Sequence, residues 1–197
     1  MARPKKSDAI DIPEQAITHV NTLLQNGQSS FSLNTIAKKI GCSAPALYAY
    51  FEGKDDLLEH VRRRAFLNLL AQKQQQYNNQ AAPDPVQNLR NGGRYFIAFA
   101  QETPHLYQLI FMPKHQCKDS DINIIKTLLQ PLIDGIHAAQ PHALKQGIKA
   151  DALAYLMWNS VQGAILMAMK NDTSFQWEQA YEVVETVMTL LFPTSSQ

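Results

Sequence analysis

A chain of 197 residues, at roughly 150 per domain, has room for one compact domain or one domain with a small appendage. Hydrophobic residues make up 45% and charged residues 18%, which excludes a disordered chain. Eighteen Lys and Arg against seventeen Asp and Glu leave a net charge of +1, excluding a globally basic nucleic-acid binder and an acidic tail, so any basic surface is local. Two distant cysteines, Cys42 and Cys117, exclude a disulfide scaffold and a four-cysteine zinc site within one chain, and they fit a reducing cytoplasm. The longest uninterrupted apolar run, Ala164–Met169, is about six residues against the ~20 that span a bilayer, and the start of the chain has no apolar signal core. The expectation is a soluble, cytoplasmic protein with no membrane partner.

Apolar residues recur at three and four positions, not at two, so the chain reads as all-α. A first helix starts at Asp11, with Pro13 in its first turn and Glu14 three positions after the cap. It buries Ala16, Val20, Leu23 and Leu24 before Gly27. A second is capped by Ser32, buries Ile36, Ala37 and Ile40, and stops at Gly41. After a three-residue turn a third runs from Ala44 to Phe51, capped by Ser43, with Pro45 in its first turn and Leu47 and Phe51 inward. A longer helix runs from near Asp55 toward Tyr77, where a Gln/Asn-rich stretch and Pro83-Asp84-Pro85 divide a small N-terminal unit from a larger one. The remaining helices are predicted at 84–102, 104–112, 119–140, 149–170 and 174–192.

Two short helices joined by a glycine-containing turn are the helix-turn-helix pattern, in which the first braces the second for the DNA major groove. Here the pattern sits in Ser32-Leu33-Asn34-Thr35-Ile36-Ala37-Lys38-Lys39-Ile40-Gly41, then Ser43, then Leu47-Tyr48-Ala49-Tyr50-Phe51-Glu52-Gly53-Lys54-Asp55-Asp56-Leu57. This stretch, within about residues 11–60, resembles the N-terminal domain of the TetR family of bacterial transcriptional repressors. The resemblance implies that Ala44, Pro45, Ala46 and Ala49 face base edges, that Tyr48, Tyr50 and Lys54 contact phosphates, and that Asn34 and Thr35 meet backbone or a flanking base. Lys54 also stands at a helix start, where the dipole disfavours a cation and an external phosphate would account for it. Since none of the groove-facing residues can make a bidentate bond to a purine, preference should come from thymine-methyl contacts, from Asn34 or Ser43, and from DNA shape. Arg3, Lys5 and Lys6 form a basic arm that either adds phosphate contacts or serves solubility. Arg62, Arg63 and Arg64 point to different sides of one helix and read as a solvated face, with Glu59 placed to pair with the first two.

The second half resembles the ligand-binding region of a TetR subgroup with a tryptophan-centred, WHG-type motif, through Pro104-His105-Leu106-Tyr107-Gln108-Leu109-Ile110-Phe111 and Trp158-Asn159-Ser160-Val161-Gln162-Gly163. Gln162 stands where the subgroup commonly has His. Its aromatics read first as core. With interleaved amides they also suggest a mostly apolar ligand site at Tyr95, Phe99, Tyr107, Phe111, Trp158 and Gln162. Gly92-Gly93 inside a helix costs about 0.8–1 kcal/mol per glycine relative to Ala, which either a close-packed neighbour or a hinge would offset. Two stripes, Met157, Val161, Ala164, Ala168 and Tyr181, Val184, Met188, Leu191, offer more apolar surface than a terminal hairpin normally exposes, and the resemblance implies that this hairpin pairs with its twofold mate.

His115-Gln116-Cys117 is too short to specify a metal site, Cys117 could serve as a thiol switch, and no nucleotide loop or hydrolase motif is present. No cofactor, metal or catalytic residue is expected. The sequence therefore predicts a helix-turn-helix domain at 1–60 and an effector-binding and dimerisation domain at 61–197. The whole would be a homodimeric repressor that binds double-stranded, palindromic operator DNA and is released by a small, largely apolar effector. The alternative is a DNA-bound helical adaptor that recruits a protein partner without a small-molecule effector; on neither reading is the chain an enzyme.

Overall fold

The structure, a computed structural model, describes residues 11–78, 84–112, 119–139, 148–170 and 175–192. All regular structure among them is helical. The basic arm, His115, Cys117 and the C-terminal tail lie outside the described residues. Among the described residues, those up to Leu69 together with His105–Met112 form one compact unit, and those of Leu70–Pro104 and beyond Met112 form a second.

In the first unit, helix α1 (Ile12–Gln25) begins as its sequence dictates: the Asp11 carboxylate accepts the Glu14 amide at 3.1 Å, and Pro13 sits in the first turn where its missing N–H is harmless. It ends before Gly27, whose φ of +76° a side chain would resist. Its buried face is Ala16, Ile17, Val20 and Leu24; Leu23, expected inside, is half-buried, because Ile17 completes the inward stripe at helical spacing. In α2 (Leu33–Lys39) the Ser32 hydroxyl accepts the Thr35 amide at 3.1 Å, and Gly41, at φ +74°, closes the helix.

Helix α3 (Ala44–Tyr48) is shorter than its pattern predicts. Ser43 caps it by accepting the Ala46 amide at 3.3 Å, but the chain then tightens: both the Tyr50 and the Phe51 amides bond to the Leu47 carbonyl, at 3.1 Å each. That tightened turn delivers Phe51 into the core at 2% exposure beside fully buried Leu47 and Leu57.

Helix α4 (Lys54–Asn78) carries the arginine triplet, and here the expectation of a solvated face is corrected. Arg62 is 4% exposed; its Nε donates to the Ile110 carbonyl of α6 (Pro104–Phe111) at 3.2 Å while a terminal nitrogen reaches Glu59 at 3.3 Å. Arg64 binds Glu14 of α1 through two bonds, 2.5 and 2.6 Å. Arg64 remains partly exposed in doing so, and Arg63 is the exposed member, paired with Glu59 at 3.3 Å. The triplet splits because successive residues lie about 100° apart on a helix, so one enters the core, one straps two helices and one meets water.

The second unit packs α5 (Pro85–Glu102), α7 (Asp119–Ala139), α8 (Ala150–Met169) and α9 (Trp177–Leu191) against one another. Gly93 lies where a Cβ would come within 3.1 Å of both methyls of Val184, so α9 packs onto bare α5 backbone, whereas a Cβ on Gly92 would meet nothing within 4 Å. Arg90 and Arg94 of α5 both bond Glu185 of α9, Arg94 at 2.5 Å. By length and composition alone α8 could cross a membrane, a property hidden by the shortness of its uninterrupted apolar runs. It is split lengthwise into a buried and an exposed stripe.

That split overturns the assignment of the hairpin's surface. Met157, Val161, Ala164 and Ala168 of α8, and Val184 and Met188 of α9, are core. The exposed apolar face of α8 is Tyr155, Leu156, Leu166 and Met167, joined on α9 by Leu190. A helix apolar on both sides carries two stripes, and periodicity does not say which one faces inward.

Candidate nucleic-acid interface and apolar cavity

The residues expected at DNA lie on the α2–α3 segment and the start of α4, and all ten are at least partly exposed. Asn34, Thr35, Ser43, Pro45, Tyr48, Ala49, Tyr50 and Lys54 are exposed or half-exposed, and Ala44 and Ala46 also keep part of their surface in water. Leu33, Ile36, Ala37, Leu47 and Phe51 are buried beneath them and fix the two short helices by packing. Tyr48 and Tyr50, at 52% and 55% exposure, bring two phenols into water, where large aromatic residues gain little unless they meet a partner. The Thr35 hydroxyl shares a 2.8 Å hydrogen bond with Ser32, which orients it within the cap.

Lys54 has a protein neighbour that no sequence spacing announces: its ammonium stands 4.3 Å from the centroid of Phe31. A ring face at that distance attracts a cation and holds the side chain against the start of α2 instead of letting it sweep solvent. The same helix start carries Asp56, whose carboxylate accepts the Glu52 amide at 3.1 Å. Lys38 and Lys39, in the last turn of α2, are further exposed cations outside the expected set. Their sequence signal is present but ambiguous, since basic residues in a last turn also complement the helix dipole. Cys42, in the connecting turn, is half-buried with a free thiol.

The first unit also contains an ion pair with a defined acid response. The Arg64 guanidinium, by hydrogen bond and by charge, holds the Glu14 carboxyl below its ordinary value of 4.5, against an opposing effect of desolvation.

In the second unit α5, α7, α8 and the end of α4 line an open-mouthed cavity of about 720 Å³. Its size falls within the range of small-molecule sites, roughly 300–1,000 Å³. Phe96, Leu128, Leu132, Met157 and Trp158 supply apolar wall, and Lys73, Asn88, Thr127 and Asp134 supply the polar groups. Phe96 and Trp158 meet edge to face, centroids 5.3 Å apart and planes at 86°. Gly92 borders the space that its missing side chain leaves open. Helix α7 passes the cavity at Pro131, which has no N–H for the Thr127 carbonyl and in a helix interior costs about 3 kcal/mol.

Of the six residues expected at a ligand, the structure places Trp158 on this wall. Tyr95 and Phe99 lie on α5, and the Tyr95 hydroxyl donates to Gln72 at 3.1 Å. Burial, and after it the charge of Glu102, raises the Tyr95 phenol above its ordinary value. Gln162 is half-buried one turn beyond Trp158. Tyr107 and Phe111 belong to the first unit, where their rings meet at a tilt with centroids 4.8 Å apart, so they take no part in the cavity. Lys73 and Phe96 are additions to the expected set, and a lysine near a Gln-rich helix end offers no period from which to read it. Among the described residues no group of three His, Cys, Asp or Glu is arranged to hold a metal ion.

Two family models match the chain. Residues 20–61 match the bacterial regulatory proteins of the tetR family, and residues 89–191 match the tetracyclin repressor-like C-terminal domain. No curated protein gives a significant sequence match. Similar solved structures include a TetR transcription regulator from Haloarcula marismortui, with TM-score 0.72, 18% identity, and 92% and 98% of the two chains covered. The transcriptional regulator FadR from Bacillus subtilis, in complex with stearoyl-CoA, gives TM-score 0.68 and 14% identity over 91% and 97%. The ketosteroid transcriptional regulator KstR2 of Mycobacterium tuberculosis gives TM-score 0.63 and 11% identity over 95% and 98%. At such identities the likeness concerns the fold, whereas the C-terminal family match alone spans more than half the sequence. Together with the helix-turn-helix, these matches make the chain a member of the TetR family, a DNA-binding transcriptional regulator.

Proposed function

We propose that the protein is a homodimeric repressor that leaves a palindromic operator when a small, largely apolar effector enters the second unit. The observation that carries the reading is the cavity of about 720 Å³ inside a regulator whose DNA-contacting motif lies in a different compact unit. An effector shifts DNA affinity only if it binds the two conformations unequally, and a site on a different unit from the helix-turn-helix acts through that difference. The stearoyl-CoA bound by one similar protein, and the ketosteroids for which another is named, suit an apolar site of this kind.

Dimerisation is supported by the exposed apolar stripe of α8, Tyr155, Leu156, Leu166 and Met167. It is also required by the chemistry of the reading helix, whose alanines make weak contacts that only a second linked copy raises to useful affinity. At DNA, Tyr48, Tyr50 and Lys54 fix the register on phosphates. Asn34, Thr35 and Ser43 add polar contacts, and Ala44, Pro45, Ala46 and Ala49 meet base edges and thymine methyls. Trp158 on the cavity wall agrees with the tryptophan-motif subgroup.

The test is a gel-shift titration of the purified chain against the DNA upstream of its own coding sequence, with sedimentation to give the oligomeric state. Binding of two chains to one palindromic site is expected. Binding as a monomer, or failure on every palindrome tried, would leave the adaptor reading in its place.

A further inference from the structure

We propose that the occupant of this cavity is an amphipathic anion, an apolar body with a single acidic head, and that Lys73 holds the head; the proposal rests on the effector role of the cavity and specifies its ligand. Lys73 and Asp134 are the charged residues of the lining. Asp134 is exposed and already accepts a hydrogen bond from Gln130 at 2.9 Å. Lys73 is differently placed. Its ammonium stands 5.3 Å from the centroid of Phe96, beside the apolar wall, and no described carboxylate lies within ion-pairing distance of it.

A cation beside an aromatic wall receives only part of the stabilisation that water would give it. Burial accordingly pulls its pKa below the ordinary 10.5, which marks a charge in want of a counter-ion. An acidic head supplies that counter-ion, and Phe96, Trp158, Leu128 and Met157 remain to cover the tail. A neutral ligand of the same shape would fill the wall and leave Lys73 as it was. A cationic ligand would be repelled. Carboxylate and phosphate heads share the required chemistry, and the experiment separates them.

The experiment is calorimetric titration of the full-length chain with dodecanoate, dodecyl phosphate and dodecanol below their aggregation thresholds. At least one anion should bind roughly tenfold or more tighter than the alcohol, as a charge-assisted bond to a partly desolvated ammonium implies. In Lys73→Met, which keeps the apolar stem, that preference should vanish while dodecanol binds unchanged. Lys73→Arg should restore it. An unshifted thermal midpoint shows that the variants are folded. Gly92→Leu, which fills the space, should weaken all three ligands. If dodecanol binds as well as both anions, the acidic head is overturned and the cavity site stands; if the anion preference survives Lys73→Met, Lys73 does not hold the head and the assignment to it is overturned. If none of the three binds, both fall.

Discussion

The two compact units of this regulator solve opposite problems. The first must hold a constant surface toward a duplex of fixed shape, and its interior is stapled accordingly. Arg62 is sunk among apolar side chains and bonded to a backbone carbonyl, Arg64 straps α4 to α1, and short helices are capped at Asp11, Ser32 and Ser43. The second keeps a cavity of about 720 Å³ open, with an uncovered helix backbone at Gly92 and a proline within α7. Residues that exert function outward are exposed and sit on a rigid support. The residues proposed to act inward sit where packing has been left incomplete, at a cost in stability that the proposed ligand would recover.

The contrast breaks first at Arg62. Arg62→Ala should destabilise the chain by about 2–4 kcal/mol in urea unfolding, because it strands the Ile110 carbonyl and one side of Glu59. A loss under about 1 kcal/mol, the size of an exposed pair, would mean that the first unit is not stapled there. Next comes Lys54→Ala, expected to weaken binding to all DNA sequences alike and to reduce the salt slope by about 0.9 for each phosphate no longer neutralised. Phe31→Leu should act on the same slope more weakly, since it frees the ammonium without removing it. An unchanged slope for Lys54→Ala would take that residue out of the phosphate set.

The glycine pair sharpens the second half of the contrast. Gly92→Ala should stabilise by up to about 0.8–1 kcal/mol, since its Cβ enters open space, and Gly93→Ala should fall short of that because Val184 must give way. Equal effects in thermal melts would mean that the backbone approach of α9 is not tight. The smallest effect is the acid response of Glu14. Its carboxyl titrates below the ordinary 4.5 when folded, so the ion pair contributes fully above that value and is lost as pH falls through the lowered one. Glu14→Gln should abolish that part of the acid dependence, and a parallel pH–stability curve for the variant would contradict it.

How legible the two units are in sequence follows from the same contrast. In the first, each boundary has a chemical marker: a capping oxygen three residues before an amide, a proline in a first turn, a glycine at positive φ. The surface residues follow once the inward stripe is known. Arg62 and Arg64 escape such a reading because an arginine enters a core or straps a neighbouring helix only where a distant partner waits, here Ile110 and Glu14, some fifty residues away in sequence. In the second unit the helices are legible to within a few residues but their faces are not, since α8 is apolar on two sides and only its neighbours select one.

What the sequence determined by itself was local: helix placement, the caps and turns, the helix-turn-helix spacing, and with them the DNA-binding class. These are set by bonds and dihedrals within a few residues. What the tertiary structure alone decided was which stripe of α8 is core and which is surface, that Phe31 lies under Lys54, and that Lys73 and Trp158 line one cavity. Those outcomes depend on side chains far apart in the chain competing for the same space, and no window of sequence contains both competitors.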